Sequence, residues 1–470
     1  MSTDQGDHPR RRVLIVSREL PPAVGPHPIR VAKLAKYLPR LGWDVTVLTV
    51  PVDHAWAVDA SLLEDIRGTE VIRIPRLLAG VIRPTDAESR PVAGRDRGQT
   101  DPGAAGGRRR ALAGWLIPDR DLLWAVPAAR RARKIAEDFD VVLTTAPPFS
   151  THIVGAWVAR LTGVPWVAEY RDNWTTNPLY RRSGLAGWLD RFVESHALPS
   201  AAVVVTMSPA AAEEMAAHFP AVQRRVVAIP NGFDPDDMPP PRGRPDDFVL
   251  VYAGSLGEAR DPRPLFRVLT GMAATDASFG AALKLRLVGN VTAAIAAAAT
   301  DALGDERVAI DGLVPHREAL EIAAGSAVLL AITTRREAGG AGLTSKLFEY
   351  LGLRRPILLL APAGPARDLV TSLDAGEVAE PDDEAGISRA VRRLYRAWQS
   401  GEERVAREED LDQLTRVTTA ARMAEALDRA WLQVREGEGS SGSDQTARAR
   451  SPDQGSPTAV PRPPVHRSQG

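Results

Sequence analysis

The stretch from Glu337 to Tyr350, EAGGAGLTSKLFEY, gathers residue types that can handle a phosphate and a sugar. Gly339, Gly340 and Gly342 let the backbone turn sharply and come close to a ligand. Thr344 or Ser345 can cap the helix that follows. A glycine-rich turn feeding a helix N-terminus offers unpaired N–H groups and the positive end of the helix dipole, which together make an anion site. Lys346 adds a cation in the first turn, and Glu349, three residues on, shares its helix face. A cation for a phosphate and a carboxylate for a sugar hydroxyl would then stand side by side. The same letters also suit a capped helix with one solvated ion pair, because a lone glycine-rich turn is a weak signal.

The elements around this stretch give it a place. Ala327–Ile332 is an apolar run that reads as a buried parallel strand leading into the turn, and Pro356–Ala361 reads as the strand after the helix. Strands over 248–253, 283–288 and 308–311 each end in glycine, and helices fall near 262–273, 292–303, 316–325, 345–353 and 365–373. This is an α/β pattern with a doubly wound parallel sheet.

The first half repeats it. Strands at 13–17, 44–50, 71–75, 141–146, 166–170 and 202–206 alternate with helices, of which Ile29–Leu41 is distorted by Pro39 and ended by Gly42. The loop after the first strand lacks the full G-x-G-x-x-G pattern, which argues against an ordinary dinucleotide site. Glu169, Arg171 and Asp172 close the strand WVAEY at its C-terminal edge, where open parallel sheets bind ligands. An Arg-Asp pair at a loop start is also common as plain structure. Asn231-Gly232 reads as a turn needing positive φ.

These patterns divide the chain into a disordered start (1–11), a first α/β domain (12–234) with a mobile insertion near 83–110, and a proline-rich linker (235–247). A second α/β domain (248–413), a closing helix (414–435) and a disordered tail (436–470) follow. Two facing sheets leave a cleft between them. Residues 108–126 mix basic side chains with Trp115, Leu116, Ile117, Leu122, Leu123 and Trp124, which fits either peripheral contact with an anionic membrane or a loop packed on its own domain.

Bulk composition narrows the class. Of 470 residues, 44% are hydrophobic, and 59 basic residues balance 59 acidic ones. Zero net charge gives no global argument for a nucleic-acid partner. The absence of cysteine excludes disulfides and thiolate metal sites and fits a cytoplasmic setting. The polar start MSTDQGDHPRRR shows no signal peptide, and no run of about 18 apolar residues suggests a spanning helix. The pairs Asp236-Asp237, Asp246-Asp247 and Asp382-Asp383 fall in linker or surface contexts, so no metal site is expected.

As an ordered set, PPAVGPHPIRVAKLAKYLPRLGWDVTVLT, APPFSTHIVGAWVARLTGVPWVAEYRDNW, IPNGFDPDD, VYAGSLGEARDPRPLF and LTSKLFEYLGLRRPILLLAP resemble the retaining nucleotide-sugar glycosyltransferases of family 4. Those have the GT-B fold, two Rossmann-like domains facing across a cleft. The resemblance spans about residues 12–435 and looks most like the branch that makes exopolysaccharide, O-antigen or capsule. It implies a nucleotide-sugar donor held by the second domain and a glycan or lipid-linked acceptor held by the first, with no cofactor and no metal. Glu349 matches the family's ribose-binding glutamate. Lys346 and the N–H groups of Gly342, Leu343, Thr344 and Ser345 would meet the diphosphate, the base would lie by Val314, and Gly25 would face the donor phosphates.

Three positions depart from the family. Ala341 stands where its first motif glutamate belongs, leaving Glu337 as the nearby carboxylate; Ser255 stands where arginine is usual, so Arg260 or Arg263 must supply the basic group; and the N-terminal glycine loop is reduced, with His27 beside prolines. The implied catalytic set is Lys346 and Arg260 on the leaving diphosphate and Asp172 as an acceptor-side base. A nucleotide-sugar 2-epimerase of the same fold and an inactive nucleotide-sugar-binding homologue are the competing readings. The resemblance also implies an enzyme at work in the cytoplasm or on the inner face of the plasma membrane.

Overall fold

The computed structural model describes residues 10–52, 58–77, 116–178, 180–334, 343–402 and 404–448, with side chains left out at 258 and 436–448. Glu337, Ala341, Gly342, Trp115 and the expected insertion at 83–110 lie outside the described residues.

Two parallel sheets account for the strands. The first holds β1 (Arg11–Val16), β2 (Trp43–Thr49), β3 (Glu70–Arg73), β4 (Val141–Ala146), β5 (Trp166–Tyr170), β6 (Ala201–Thr206) and β7 (Val226–Ala228). Their order is β3-β2-β1-β4-β5-β6-β7. The second holds β8 (Phe248–Ala253), β9 (Leu283–Val288), β10 (Val308–Gly312), β11 (Val328–Ile332), β12 (Ile357–Leu360) and β13 (Gly376–Ala379), in the order β10-β9-β8-β11-β12-β13. The strand order reverses between β1 and β4 in one sheet and between β8 and β11 in the other. Those reversals are where doubly wound sheets open a crevice.

The central strands are largely apolar because helices cover both faces, while edge strands such as β3 and β10 carry charged and exposed residues. In β1, Leu14 and Val16 join one core with Trp124, Val154 and Trp166, while Val13 and Ile15 join the opposite core with Val31 and Leu34. The helix Pro26–Tyr37 runs into a 3-10 turn at Leu38–Leu41, and Gly42 closes it with φ 86°, as the proline and glycine predict. The helices Leu122–Ile135, Gly184–Ala197 and Glu384–Ser400 and the strand β13 have no counterpart in the sequence reading. Trp124 is fully buried inside the first of these, so within 116–126 the tryptophan packs on its own domain and is not presented to a membrane.

The closing helix departs from expectation at both ends. It spans Arg416–Arg448 and so continues past 435, where disorder was expected. Once nucleated, helix extension is cheap, and no proline interrupts the chain before Pro452. Its apolar side chains Ala420, Met423, Ala424 and Leu427 pack on the first domain, although the helix follows the second. Trp43 Nε1 donates to Asp428 at 2.9 Å and Arg11 pairs with the same carboxylate at 2.7 Å. The chain therefore crosses between domains twice, at 231–247 and at 411–416.

At the crossing, Gly232 is needed for a different reason from the one expected. It is not in the left-handed region. A Cβ there would meet the Leu414 carbonyl oxygen at 2.5 Å, because the two crossing segments lie against each other. Phe233 N donates to Leu414 O at 3.0 Å and Arg416 N to Phe233 O at 2.7 Å.

Candidate active site

The edge of the second sheet is built from glycine backbone. β8 ends at Gly254 (φ 135°), β9 runs into Gly289 (φ 111°) and β10 ends at Gly312 (φ 70°), a region that disfavours side chains. Gly289 N donates to Gly312 O at 2.6 Å, and Gly254 N donates to Val288 O at 2.7 Å. A Cβ on Gly289 would meet the Gly254 carbonyl oxygen at 2.5 Å. A Cβ on Gly254 would strike the Lys346 ammonium and meet its Cε at 2.7 Å. The lysine side chain thus lies flat on the Gly254 backbone, with Nζ 3.8 Å from the centroid of the Tyr252 ring. Tyr252 donates its hydroxyl to Ser255 O at 2.7 Å, and Tyr350 accepts from Ala253 N at 2.9 Å. Two tyrosines therefore fix the turn under the lysine.

Lys346 opens the helix Ser345–Leu353, whose N-terminus faces this edge. Thr344 holds the N-cap position but makes no side-chain cap bond, contrary to the sequence expectation; its carbonyl accepts from Leu347 N at 3.1 Å. Leu343 precedes it and packs partly against the core below β11. Lys346 and Glu349 share a face without pairing. Glu349 Oε1 instead lies 3.6 Å from His316 Nε2, a partner that sequence reasoning missed. His316 starts the helix His316–Ala324 just after Val314, so the groups assigned to base and ribose are neighbours. Arg260 donates to Ser255 O at 3.4 Å and so reaches this edge, whereas Arg263 pairs with Asp261 at 3.2 Å.

The edge of the first sheet is built from charged side chains held by burial. Glu169 is buried, contrary to its reading as an acceptor contact. It accepts from Arg30 Nε at 2.9 Å and from Thr145 Oγ1 at 2.6 Å. A carboxylate inside a strand covered on both faces has to be paired. Arg30 also donates to Ile229 O and Pro230 O, both at 3.1 Å, and to Asn231 Oδ1 at 3.2 Å, so the pair anchors the domain crossing. Arg171 is also largely buried; it donates to Thr145 Oγ1 at 3.1 Å and to Pro147 O, bracing the loop after β4. Asp172 alone of the three is partly open. It accepts from Tyr180 at 3.1 Å, and burial pushes its carboxyl up against the opposing effects of Tyr180 and Arg171. A raised carboxyl is a better proton acceptor. His27 lies on the same edge, held well below the usual imidazole range by burial and by the nearby Arg171 and Arg18. Gly25, with φ 147°, caps the helix beside it.

The two edges meet through Asp59. Its Oδ2 accepts from His316 N at 2.8 Å, so a first-domain carboxylate caps a second-domain helix. Asp59 N in turn donates to Pro22 O at 2.8 Å, in the loop that carries Gly25. Against the opposing effect of burial, hydrogen bonds from Ser61 and His316 hold the Asp59 carboxyl below the usual carboxylate range. Arg416, buried beside Asn231, is pulled down to about 10, first by burial and then by Arg30, while Glu349 and Glu169 oppose this.

Asp237 of the linker and Asp234 just before it are not solvated, whereas Asp236, Asp246 and Asp247 are exposed. Asp65, Asp234 and Asp237 place carboxylate oxygens within 4.8 Å of one another, a set that could hold a cation. The Lys33 ammonium already sits among them, 2.7 Å from each. Lys36 and Tyr37 bind Asp234 as well. A groove of about 930 Å³ lined by Lys36, Asp65, Asp237, His316 and Arg317 runs alongside the helix Pro26–Tyr37 and not along the strand edges. The strand edges carry the polar groups expected from the sequence and form the candidate site.

Comparison with known proteins agrees with this architecture. Residues 28–232 match the glycosyl transferase 4-like domain. No curated protein matches the sequence. Among solved structures the chain is similar to an α,α-trehalose-phosphate synthase (UDP-forming) from Burkholderia xenovorans in complex with glucose-6-phosphate. The TM-score is 0.57 at 13% identity, covering 89% of this chain and 100% of that one. It is similar to WaaG, a glycosyltransferase involved in lipopolysaccharide biosynthesis, with TM-score 0.56 at 15% identity, covering 88% and 99%. A putative UDP-N-acetylglucosamine 2-epimerase from Listeria monocytogenes gives 0.52 at 12%, covering 89% and 96%. At these identities the structures speak for the fold, a GT-B architecture of two Rossmann-like domains, and the match over 28–232 makes the first half similar to a glycosyl transferase 4-like domain.

Proposed function

We propose that the protein is a metal-independent, retaining glycosyltransferase, of hexosyltransferase type, that moves a sugar from a nucleotide-sugar donor to a glycan, lipid-linked or small-molecule acceptor in cell-surface polysaccharide or glycoconjugate synthesis. The observation that carries this is the second-sheet edge, where Lys346 lies on Gly254 beside a helix N-terminus whose N-cap residue Thr344 makes no side-chain cap bond, and Glu349 stands one turn further on. Glycosyl transfer builds positive charge at the sugar C1 and negative charge on the departing diphosphate. Fixed cations and aligned amides stabilise the latter without reorganising. In this reading Lys346, Arg260 and the amides at Leu343–Ser345 take the diphosphate, Val314 marks the base, and Glu349 with His316 takes the ribose. Asp172, with its raised carboxyl, takes the acceptor proton across the cleft. Ser255 and Arg263 shape the donor edge. Glu337 and Gly342 would complete the turn. Closure of the two edges through Asp59 would exclude water and so limit hydrolysis of the donor.

Lys346→Ala tests the placement. It should abolish turnover and weaken nucleoside diphosphate binding by about 1–3 kcal/mol, as for a lost charged hydrogen bond. Calorimetric titration with UDP and GDP measures this; unchanged affinity sinks the assignment. The similarity to an epimerase favours a second reading, which the same protein tests: a product epimeric at C2, formed from a nucleotide sugar without acceptor, would replace transfer by epimerisation. Binding without turnover on any acceptor would mark a catalytically inactive nucleotide-sugar-binding homologue.

A further inference from the structure

One face of the first domain stands apart from the chain's overall charge balance. The helices Leu122–Ile135, Ser150–Thr162 and Gly184–Ala197 cover the same side of the first sheet. Their outward side chains include five large apolar ones. Trp157 and Leu161 project from the second helix, and Leu185, Trp188 and Phe192 from the third, with between 46% and 63% of each exposed. Trp188, Phe192 and Leu185 follow the helical repeat and so form one stripe. The Trp188 and Phe192 rings stack at 5.5 Å, and Phe192 lies 4.0 Å from the His196 ring. Arg160 of the second helix donates to the His196 carbonyl, which joins the two stripes into a continuous surface.

Every exposed charge on these helices is positive. Arg130, Arg131, Arg133 and Lys134 are exposed on the first, Arg160 on the second and Arg191 on the third. The first two helices contain no acidic residue. The two on the third, Asp190 and Glu194, are buried, Asp190 against Arg182 and Glu194 against Thr175. The chain as a whole has 59 basic and 59 acidic residues, so six exposed cations on these three helices are a local excess, with Glu137 and Asp138 the exposed anions on the 3-10 turn that continues the first helix.

We propose that this face docks on an anionic lipid bilayer. Tryptophan and phenylalanine seat at the headgroup–acyl boundary while arginine and lysine meet lipid phosphates. A second copy of this chain fits poorly, since a two-fold interface would set this cationic surface against itself. The proposal goes beyond the reading of the donor site and needs no nucleotide sugar for its test.

The test is sedimentation of the full chain with phosphatidylglycerol–phosphatidylcholine vesicles and with pure phosphatidylcholine vesicles. The wild type should bind the anionic vesicles and lose that binding in high salt. Trp188→Ala/Phe192→Ala should weaken it by about tenfold or more, and Arg130→Glu/Arg133→Glu to a similar degree. Val417→Ala/Leu432→Ala, on exposed apolar residues of the closing helix, should leave it unchanged. All four residues of the test variants are exposed, and thermal melts confirm folding of each protein. Equal binding to both vesicle types, or binding unaffected by Trp188→Ala/Phe192→Ala, overturns the proposal. So does retention on immobilised polyglutamate with no vesicle binding, which would point to an acidic protein, or a wild-type dimer that this double variant dissociates.

Discussion

The two sheet edges that face each other are made by opposite means. The second-domain edge is made by removing side chains: Gly254, Gly289 and Gly312 bring backbone close to where a ligand would lie, and one lysine rests on them. The first-domain edge is made by burying charges: Arg30, Glu169 and Arg171 are locked under it, and Asp172 is partly open. The difference teaches that a ligand edge can be preorganised by steric emptiness or by electrostatic rigidity. An emptied edge lets amides approach a diphosphate. A rigid charged edge fixes one carboxylate, and fixes the domain crossing too, since Arg30 also holds residues 229–231. Changes at the first edge should therefore cost stability, and changes at the second should cost binding.

The largest effect is expected at the buried pair. Glu169→Ala leaves the Arg30 guanidinium buried without its carboxylate and removes an acceptor from Thr145. The first domain should lose about 3–5 kcal/mol in urea unfolding. A loss under about 1 kcal/mol would show that the pair behaves like a surface contact, and the contrast between the edges would fail.

Next comes Gly254→Ala. The new Cβ would strike Lys346 and would sit at φ 135°. Affinity for a nucleoside diphosphate should fall by on the order of 1–3 kcal/mol as Lys346 is pushed from its place, as for a lost charged hydrogen bond, with the unfolding midpoint of the first domain unchanged. Gly289→Ala is the sharper partner experiment, because its Cβ would meet backbone at Gly254, which cannot swing aside. Loss of stability in both variants with unaltered nucleotide affinity would reverse the assignment of roles.

Both domains were legible in the sequence because doubly covered parallel strands have to be apolar on both faces, and runs such as VLIV and ILLL say so directly. The glycines at the strand ends and the Lys346 helix were legible for the same local reason. What could not be read was pairing across distance. Glu169 stood out as a site candidate, yet its partner Arg30 is 139 residues away. A signal was present: a carboxylate in the middle of WVAEY cannot stay unpaired in a covered strand. The aspartates at 234–237 read as a solvated linker, while Lys33 and Lys36, one turn apart on their helix, were already spaced to receive them. His316 sat in an ordinary helix start, and nothing local ties it to Glu349 or to Asp59. The uncapped Thr344 is the reverse case, a capping letter whose bond the fold leaves unmade.

The smallest effect is expected where the two edges touch. Asp59 belongs to the charged first edge but acts on the second, by accepting from His316 N. Asp59→Ala removes a helix cap and the bond to Ser61 together, and should cost about 0.5–2 kcal/mol of stability. If Asp59 acts as a link between domains, its loss should do more than this. His316 would be freed to reorient, and with it the carboxylate of Glu349 at 3.6 Å. The affinity for a nucleoside diphosphate should then fall, while that for the free base stays the same. Asp59→Asn, which keeps an acceptor oxygen, should recover most of the loss. A destabilisation rescued by Asn with no change in nucleotide affinity would show that Asp59 merely caps a helix, and that the two edges are coupled only through the crossing segments at Asn231 and Arg416.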